Sequence, residues 1–117
     1  MTVTNALASV AVRDLETAAK WYEKLLGPGN QSMPEVIEWH LERGGGLQVY
    51  GAPERAGRTS CTLIVTDIDE IARELRKTGI APDAEPTRNE RVDTIMVKDP
   101  DGNSIAFARP KDSTLAH

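Results

Sequence analysis

The chain has 117 residues, a single cysteine and a formal net charge of −4. That length suits one domain able to bury a real core. Charged residues, 27% of the total, are interspersed in sign and form no basic stripe, which excludes nucleic acid as an expected partner. No apolar run approaches the roughly 20 residues that span a bilayer, which excludes a membrane-spanning role.

The first residues, MTVTNALASVAVRDL, lack the charged start and continuous apolar stretch of a secretory signal, so a cytoplasmic protein is expected. Cys61 alone cannot form an intrachain disulfide, in keeping with a reducing compartment. In ALASVAVRD, Val10 and Val12 alternate with Ser9 and Ala11, the periodicity of a strand. Asp14 follows as an N-cap, its carboxylate placed to accept the unpaired amides of a first helical turn. Leu15, Ala18, Ala19, Tyr22 and Leu25 or Leu26 then recur at helical spacing until Gly27 and Pro28 stop the helix. EVIEWHLE and LQVYG read as two strands joined through RGGG, where glycine permits positive φ.

The pattern then restarts. SCTLIVTD is a strand, and Asp67 is an N-cap with Glu70 three residues on. Ile68, Ile71, Ala72 and Leu75 form the apolar stripe of a second helix that Gly79 ends. RVDTIMVK and SIAFARP are the closing strands, joined by DPDGN. Val12-Arg13-Asp14-Leu15 matches Val65-Thr66-Asp67-Ile68, and Leu47-Gln48-Val49 matches Ile105-Ala106-Phe107. The extra residues of the second half are assigned to GIAPDAEPTRNE. An internal repeat fixes the architecture as α+β, one domain of two βαβββ modules, each with one sheet face covered by its helix. Module one is placed at residues 5–51, a linker at 52–58, module two at 59–109 and a flexible tail at 110–117.

The repeat, the helix VRDLETAAKWYEKLLG and the turn KDPDGN resemble the vicinal oxygen chelate superfamily, which includes glyoxalase I, extradiol dioxygenases, and fosfomycin- and bleomycin-resistance proteins. The resemblance spans residues 5–109 and implies curved mixed sheets enclosing a cavity; it speaks to fold more than to chemistry. It also implies a homodimer, as small members of that superfamily usually pair. DPDGN has its own physical reading: an Asx-type start, a Pro of preset φ and a Gly able to take positive φ. Asp99 and Asp101 are therefore expected to serve the turn and not to act as catalytic acids.

In the metal-dependent members of that superfamily, four strand side chains converge on one ion. Carried over strand by strand, those positions read Leu7, Gln48, Ser60 and Ala106. A divalent metal wants imidazole, carboxylate or thiolate. Two of the four positions are hydrocarbon, and the chain holds only two histidines, His40 and His117. No metal site and no cofactor are expected.

Strand parity gives the expected cavity lining: Leu7, Ser9 and Ala11; Gln48 and Tyr50; Ser60, Thr62 and Ile64; Thr94 and Met96; Ser104 and Ala106. Such a wall, apolar with a few hydroxyls and one amide, suits a weakly polar organic ligand. Trp39 is either core or a stacking platform at the cavity mouth, and it is assigned to the ligand-binding set together with His40. Trp21 and Tyr22 are expected to pack the first helix on its sheet, and Cys61 to be a small buried residue facing the second helix. Arg55 and Arg58, on the linker, are either solvated charges or contacts for an anionic ligand.

The leading expectation is metal-independent binding of a small organic molecule, of the sequestration or resistance type. The alternative is a metal-free lyase or isomerase using the same cavity, with His40 as the one weak candidate for a base and Glu38 as its nearest carboxylate.

Overall fold

A computed structural model describes residues 1–111, with Ser32 described by its backbone alone. It falls into two compact units. The first comprises Met1–Thr59 together with Asp99–Asn103; the second comprises Ser60–Lys98 and the strand that begins at Ser104.

In the first unit the order is β1 (Leu7–Val12), α1 (Leu15–Leu26), β2 (Asn30–Met33), β3 (Val36–His40) and β4 (Gly46–Gly51). The four strands form a mixed sheet in the order β1-β4-β3-β2, with β1 and β4 parallel and the other pairs antiparallel. Helix α1 starts where Asp14 accepts from the Glu16 amide at 3.2 Å and from Thr17 Oγ1 at 2.7 Å. It ends where the Gly27 N–H returns to the Glu23 carbonyl at 2.9 Å, with Gly27 at φ 77°. The helix packs on β3 and β4. Val10, Val12, Ala18, Tyr22, Leu47 and Val49 are buried between helix and sheet.

The second unit repeats the plan with β5 (Ser60–Ile64), α2 (Ile68–Lys77), β6 (Thr87–Arg88), β7 (Val92–Lys98) and β8 (Ser104–Pro110). Its sheet runs β5-β8-β7-β6. Asp67 caps α2 by accepting the Asp69 and Glu70 amides, each at 3.1 Å. Cys61, Leu63, Ile68, Ala72, Leu75, Ile95, Val97, Ile105 and Phe107 form its core. The α+β architecture of two βαβββ modules is therefore as expected. Near the start of β7 the buried Asp93 carboxylate faces Arg88, Arg109 and Lys111, whose nitrogens lie 3.4, 3.7 and 3.3 Å away.

Three details depart from the sequence reading. Two short edge strands complete the modules where no stretch of sequence had been assigned to them: β2, bulged and polar, and the two-residue β6, which lies inside the stretch assigned to extra residues. Pro110, read both as the end of the strand SIAFARP and as the start of a flexible tail, closes β8, and the Lys111 N–H bonds the Arg91 carbonyl at 2.8 Å. His117 and the rest of that tail, residues 112–117, lie outside the described residues. Finally, residues 99–103 group with the first unit and not with the strands that flank them in sequence.

That turn does more than reverse the chain. Asp99 is 4% exposed and accepts four hydrogen bonds. They come from Tyr22 Oη at 2.7 Å, Asn103 Nδ2 at 2.8 Å, and the Asp101 and Asn103 amides at 2.9 Å each. Asn103, fully buried, also donates to the Ala11 carbonyl at 2.8 Å and accepts from the Thr59 amide at 2.9 Å. The Arg13 amide donates to Asp101 at 3.3 Å. A buried carboxylate without partners would be strongly unfavourable, so this set of donors is what allows it to stay inside. The expectation that Asp99 serves the turn holds, with a buried structural role added.

Candidate functional site

Each sheet has one face packed on its helix and one face turned away from it. In the first unit the uncovered face carries Leu7, Ser9 and Ala11 from β1, Gln48 and Tyr50 from β4, and Val36, Glu38 and His40 from β3, as the strand pairings require. Pairing aligns these residues in rows across the sheet. Ser9 lies opposite Gln48, Gln48 opposite Glu38, and Glu38 opposite Asn30 of β2, so one polar row crosses all four strands. Within it Gln48 Nε2 donates to Ser9 Oγ at 3.0 Å. The next row, Ala11, Tyr50 and Val36, is apolar apart from the phenol. Leu7, 46% exposed, borders the polar row on the other side.

The uncovered face of the second unit is plainer. Ser60, Thr62 and Ile64 of β5 pair with Ser104, Ala106 and Ala108 of β8, which pair in turn with Lys98, Met96 and Thr94 of β7. Ile64 is 51% and Met96 66% exposed. Covering such exposed apolar side chains removes apolar area from solvent at about 25 cal/mol per Å².

Parity thus puts the expected lining residues on the uncovered faces, with exceptions. Ala11 is on the right face yet only 1% exposed, and its carbonyl is the one held by Asn103. Trp39 is the main correction. It sits opposite Leu47 on the helix side of the sheet, is 4% exposed, and donates Nε1–H to the Gly27 carbonyl at 2.8 Å. Its ring lies 6.0 Å from that of Tyr22, which in turn meets Trp21 edge-on at 4.8 Å. Burying an indole with its N–H satisfied is worth about 2–3 kcal/mol or more, and moving it to the opposite face would forfeit that. Trp39 is core and is not a stacking platform.

His40 ends β3 opposite Gly46, exposed and on the uncovered face. Glu38 is two residues back along the strand on the same face, and no hydrogen bond joins His40 to it among the described residues. An imidazole so placed has nothing to fix its tautomer or direction. Arg55 interacts with the Tyr50 side chain, which, with Glu54, raises the guanidinium above its ordinary value. It is thereby engaged at the edge of the first unit's face; Arg58 is exposed. A surface groove of about 520 Å³ also exists in the first unit, on the helix side, lined by Leu15, Ala19, Lys20, Gln31, Pro34 and Ile37 among others. It contains none of the expected lining residues.

Sequence reading missed Asn30, because β2 was not recognised as a strand, and it weighed Glu38 only as a partner for His40. The alternation Glu38–His40 already placed Glu38 on this face, and the β3–β4 hairpin register was the missing signal.

Each βαβββ unit thus has a helix-covered face and an uncovered face of mixed polarity. The chain belongs to the glyoxalase/bleomycin resistance protein/dioxygenase superfamily, whose family model matches residues 35–107. Among solved structures it is similar to a glyoxalase/bleomycin resistance protein from Catenulispora acidiphila, at 36% identity and a TM-score of 0.79, covering 92% of this chain and 98% of that one. An antibiotic binding protein from Streptomyces sp. CB03234, TnmS3, shares the fold at 24% identity and a TM-score of 0.80, over 95% of this chain and 99% of its own. A bleomycin resistance determinant encoded on the transposon Tn5 does so at 22% identity and a TM-score of 0.74, over 93% and 99%. No curated protein matches the chain in sequence.

Relatives of this fold that use a divalent ion need donors at the positions held here by Leu7, Gln48, Ser60 and Ala106. The residues present do not fit one. Leu7 and Ala106 are hydrocarbon, Ser60 is a neutral hydroxyl, and only Gln48 could offer a carbonyl oxygen, one neutral donor where a divalent ion needs several. Among the described residues no group of three or more His, Cys, Asp or Glu side chains is gathered as a metal site would require. None of the described helices is long and apolar enough to cross a membrane.

Proposed function

We propose that the protein binds a small organic molecule on its uncovered sheet faces, without a metal, in the manner of a sequestration or resistance protein. The observation that carries this reading is the composition of those faces. Leu7, Ile64 and Met96 stand about half or more exposed among hydroxyls and one amide, a surface that would otherwise be a liability. The description of two structures of the same fold as an antibiotic binding protein and a bleomycin resistance determinant supports it. The binding species is a homodimer acting inside the cell, where Cys61 stays reduced.

The test is a thermal-shift screen of the chelator-dialysed protein against bleomycin and a panel of other natural-product antibiotics. A ligand at a hundred times its Kd stabilises the folded state by about 2.7 kcal/mol. At roughly 4 °C per kcal/mol for a chain of this size, that raises Tm by about 10 °C. The expected result is such a shift for at least one compound, unchanged by added Zn²⁺ or Mg²⁺. Binding that appears only after a divalent ion is restored would refute metal independence. Conversion of a compound, seen by mass spectrometry, would favour the lyase or isomerase alternative.

A further inference from the structure

A cluster of charges stands on the helix side of the second unit's sheet, away from its uncovered face. Asp93 of β7 lies opposite Arg88 of β6 and opposite Arg109 of β8, so a row across three strands sets one carboxylate between two guanidiniums. Lys111, two residues past Arg109, adds a third cation. All three converge on the same side chain. Arg88 Nη1 and Arg109 Nη1 lie 3.4 and 3.7 Å from Asp93 Oδ2, and Lys111 Nζ lies 3.3 Å from Oδ1. The charges differ in depth. The Asp93 side chain is 3% exposed, whereas those of Arg88, Arg109 and Lys111 are 49%, 43% and 37% exposed. An anion arriving from solvent therefore meets the cations before the carboxylate that gathers them.

One cation is enough to pair a buried carboxylate, and a purely structural ion pair ends there. Here three are gathered. Asp69, in the first turn of α2, pairs with Arg88 Nη2, which still leaves three cations against two carboxylates. Hydrogen bonding does not use the cations up. The Arg109 guanidinium carries five N–H donors and makes no hydrogen bond among the described residues, its approach to Asp93 being too long for one. Asp93 Oδ1 is buried and accepts no hydrogen bond, so Lys111 is held to it by charge alone. The ammonium's hydrogen bond goes to the Asn89 carbonyl. Water can occupy the spare donors, but it does not cancel the surplus charge, and cations held close together favour the arrival of an anion. In a chain of net charge −4 this is a local reversal of sign.

Two guanidiniums and an ammonium reaching in from three points of the chain match an anion whose oxygens point in several directions. Guanidinium in particular offers paired N–H donors that fit a phosphate edge. We propose that Arg88, Arg109 and Lys111, gathered by the buried Asp93, form a site for a phosphate group. The site stands whether or not the uncovered faces bind an organic molecule.

The probe is inorganic phosphate, titrated into the intact protein at an ionic strength held constant with chloride and followed by heteronuclear NMR. Saturable movement of the amides of Arg88, Asp93, Arg109 and Lys111 is expected. Arg109→Gln should weaken binding about tenfold or more, the scale of one charged hydrogen bond. Asp93 loses one of its cations in that variant, so Asp69→Asn gives a second reading from an exposed side chain. Asp69 competes for Arg88, and neutralising it should tighten phosphate binding severalfold, an effect that a purely structural cluster would not produce. Phenyl phosphate distinguishes the source of the anion. Equal or weaker binding than phosphate supports a site for the free ion, and tighter binding supports a phosphorylated ligand. Movements that chloride reproduces at the same ionic strength overturn the assignment. So does a phosphate affinity that is unmoved by Arg109→Gln in a folded variant, or unmoved by Asp69→Asn.

Discussion

Replacing Tyr22 by Phe isolates one bond in the first unit. Tyr22 is fully buried, and its ring packs against Trp21 at 4.8 Å and Trp39 at 6.0 Å. Phe keeps the ring and those contacts, so no cavity larger than a hydroxyl is opened. What is lost is the hydrogen bond from Tyr22 Oη to the Asp99 carboxylate, 2.7 Å long and buried. Bonds to a charged group contribute about 1.5–3 kcal/mol, and the buried carboxylate cannot replace its donor with bulk water. Asp99 keeps three other donors, so the loss belongs to the single bond and not to collapse of the turn. At about 4 °C per kcal/mol for this size, Tm should fall by roughly 6–12 °C. Circular dichroism melts and urea titrations of both proteins would measure it, with the urea m-value unchanged. A loss under about 0.5 kcal/mol would mean that the carboxylate is solvated, and the account of the turn as a buried hydrogen-bonding hub would be wrong.

Two further substitutions test local claims. Asp14 is held below its ordinary value of 3.8, chiefly by the Thr17 hydroxyl, with the Glu16 and Thr17 amides and the Lys20 charge adding to it against an opposing desolvation effect second only to the Thr17 bond. A depressed carboxyl stabilises the fold above its unfolded value and loses that contribution as pH falls through the folded one. Asp14→Ala should therefore lower Tm at neutral pH, and the difference from the parent should shrink steadily in melts taken below pH 3.8. Gly57 has φ +87°, and a Cβ there would sit 2.7 Å from the Asp101 carbonyl oxygen, a backbone atom. Gly57→Ala should cost about 1–3 kcal/mol, whereas Gly102→Ala, at φ +93° with open space around it, should cost only the backbone strain of about 1 kcal/mol. Equal losses in urea titrations would show that crowding at Gly57 has no part in it.

Much of this architecture was legible because it is written locally. Asp14 and Asp67 announce helix starts, Gly27 announces an end, and alternation in residues 7–12 and 92–98 sets which side chains face the helix. The short edge strands were not legible. β2 is four residues long with a bulge and β6 has two residues, too few for a period to show. Trp39 was misplaced for a different reason. Its parity with Ile37 points to the core, but an aromatic side chain suits a cavity mouth equally well; the bond to the Gly27 carbonyl decides between them. The polar row of Ser9, Gln48, Glu38 and Asn30 depends on register, and register is set by how strands pair rather than by any one strand. The Asp99 hub could not be read at all, because its Tyr22 donor is 77 residues away in the chain.

The place of residues 99–103 has a consequence for how the chain comes into being. A ribosome finishes Thr59 about forty residues before it reaches Asp99, a delay of roughly 2–8 s at ordinary synthesis rates. Through that interval the sequence of α1 and all four strands of the first unit has been made, but the Tyr22 hydroxyl, the Ala11 carbonyl and the Thr59 amide lack the partners they have in the finished protein. The nascent N-terminal half is thus an incomplete fold waiting for five residues, and its maturation is limited by a long-range closure rather than by local order. A fragment ending anywhere between residues 60 and 98 would inherit that vacancy permanently.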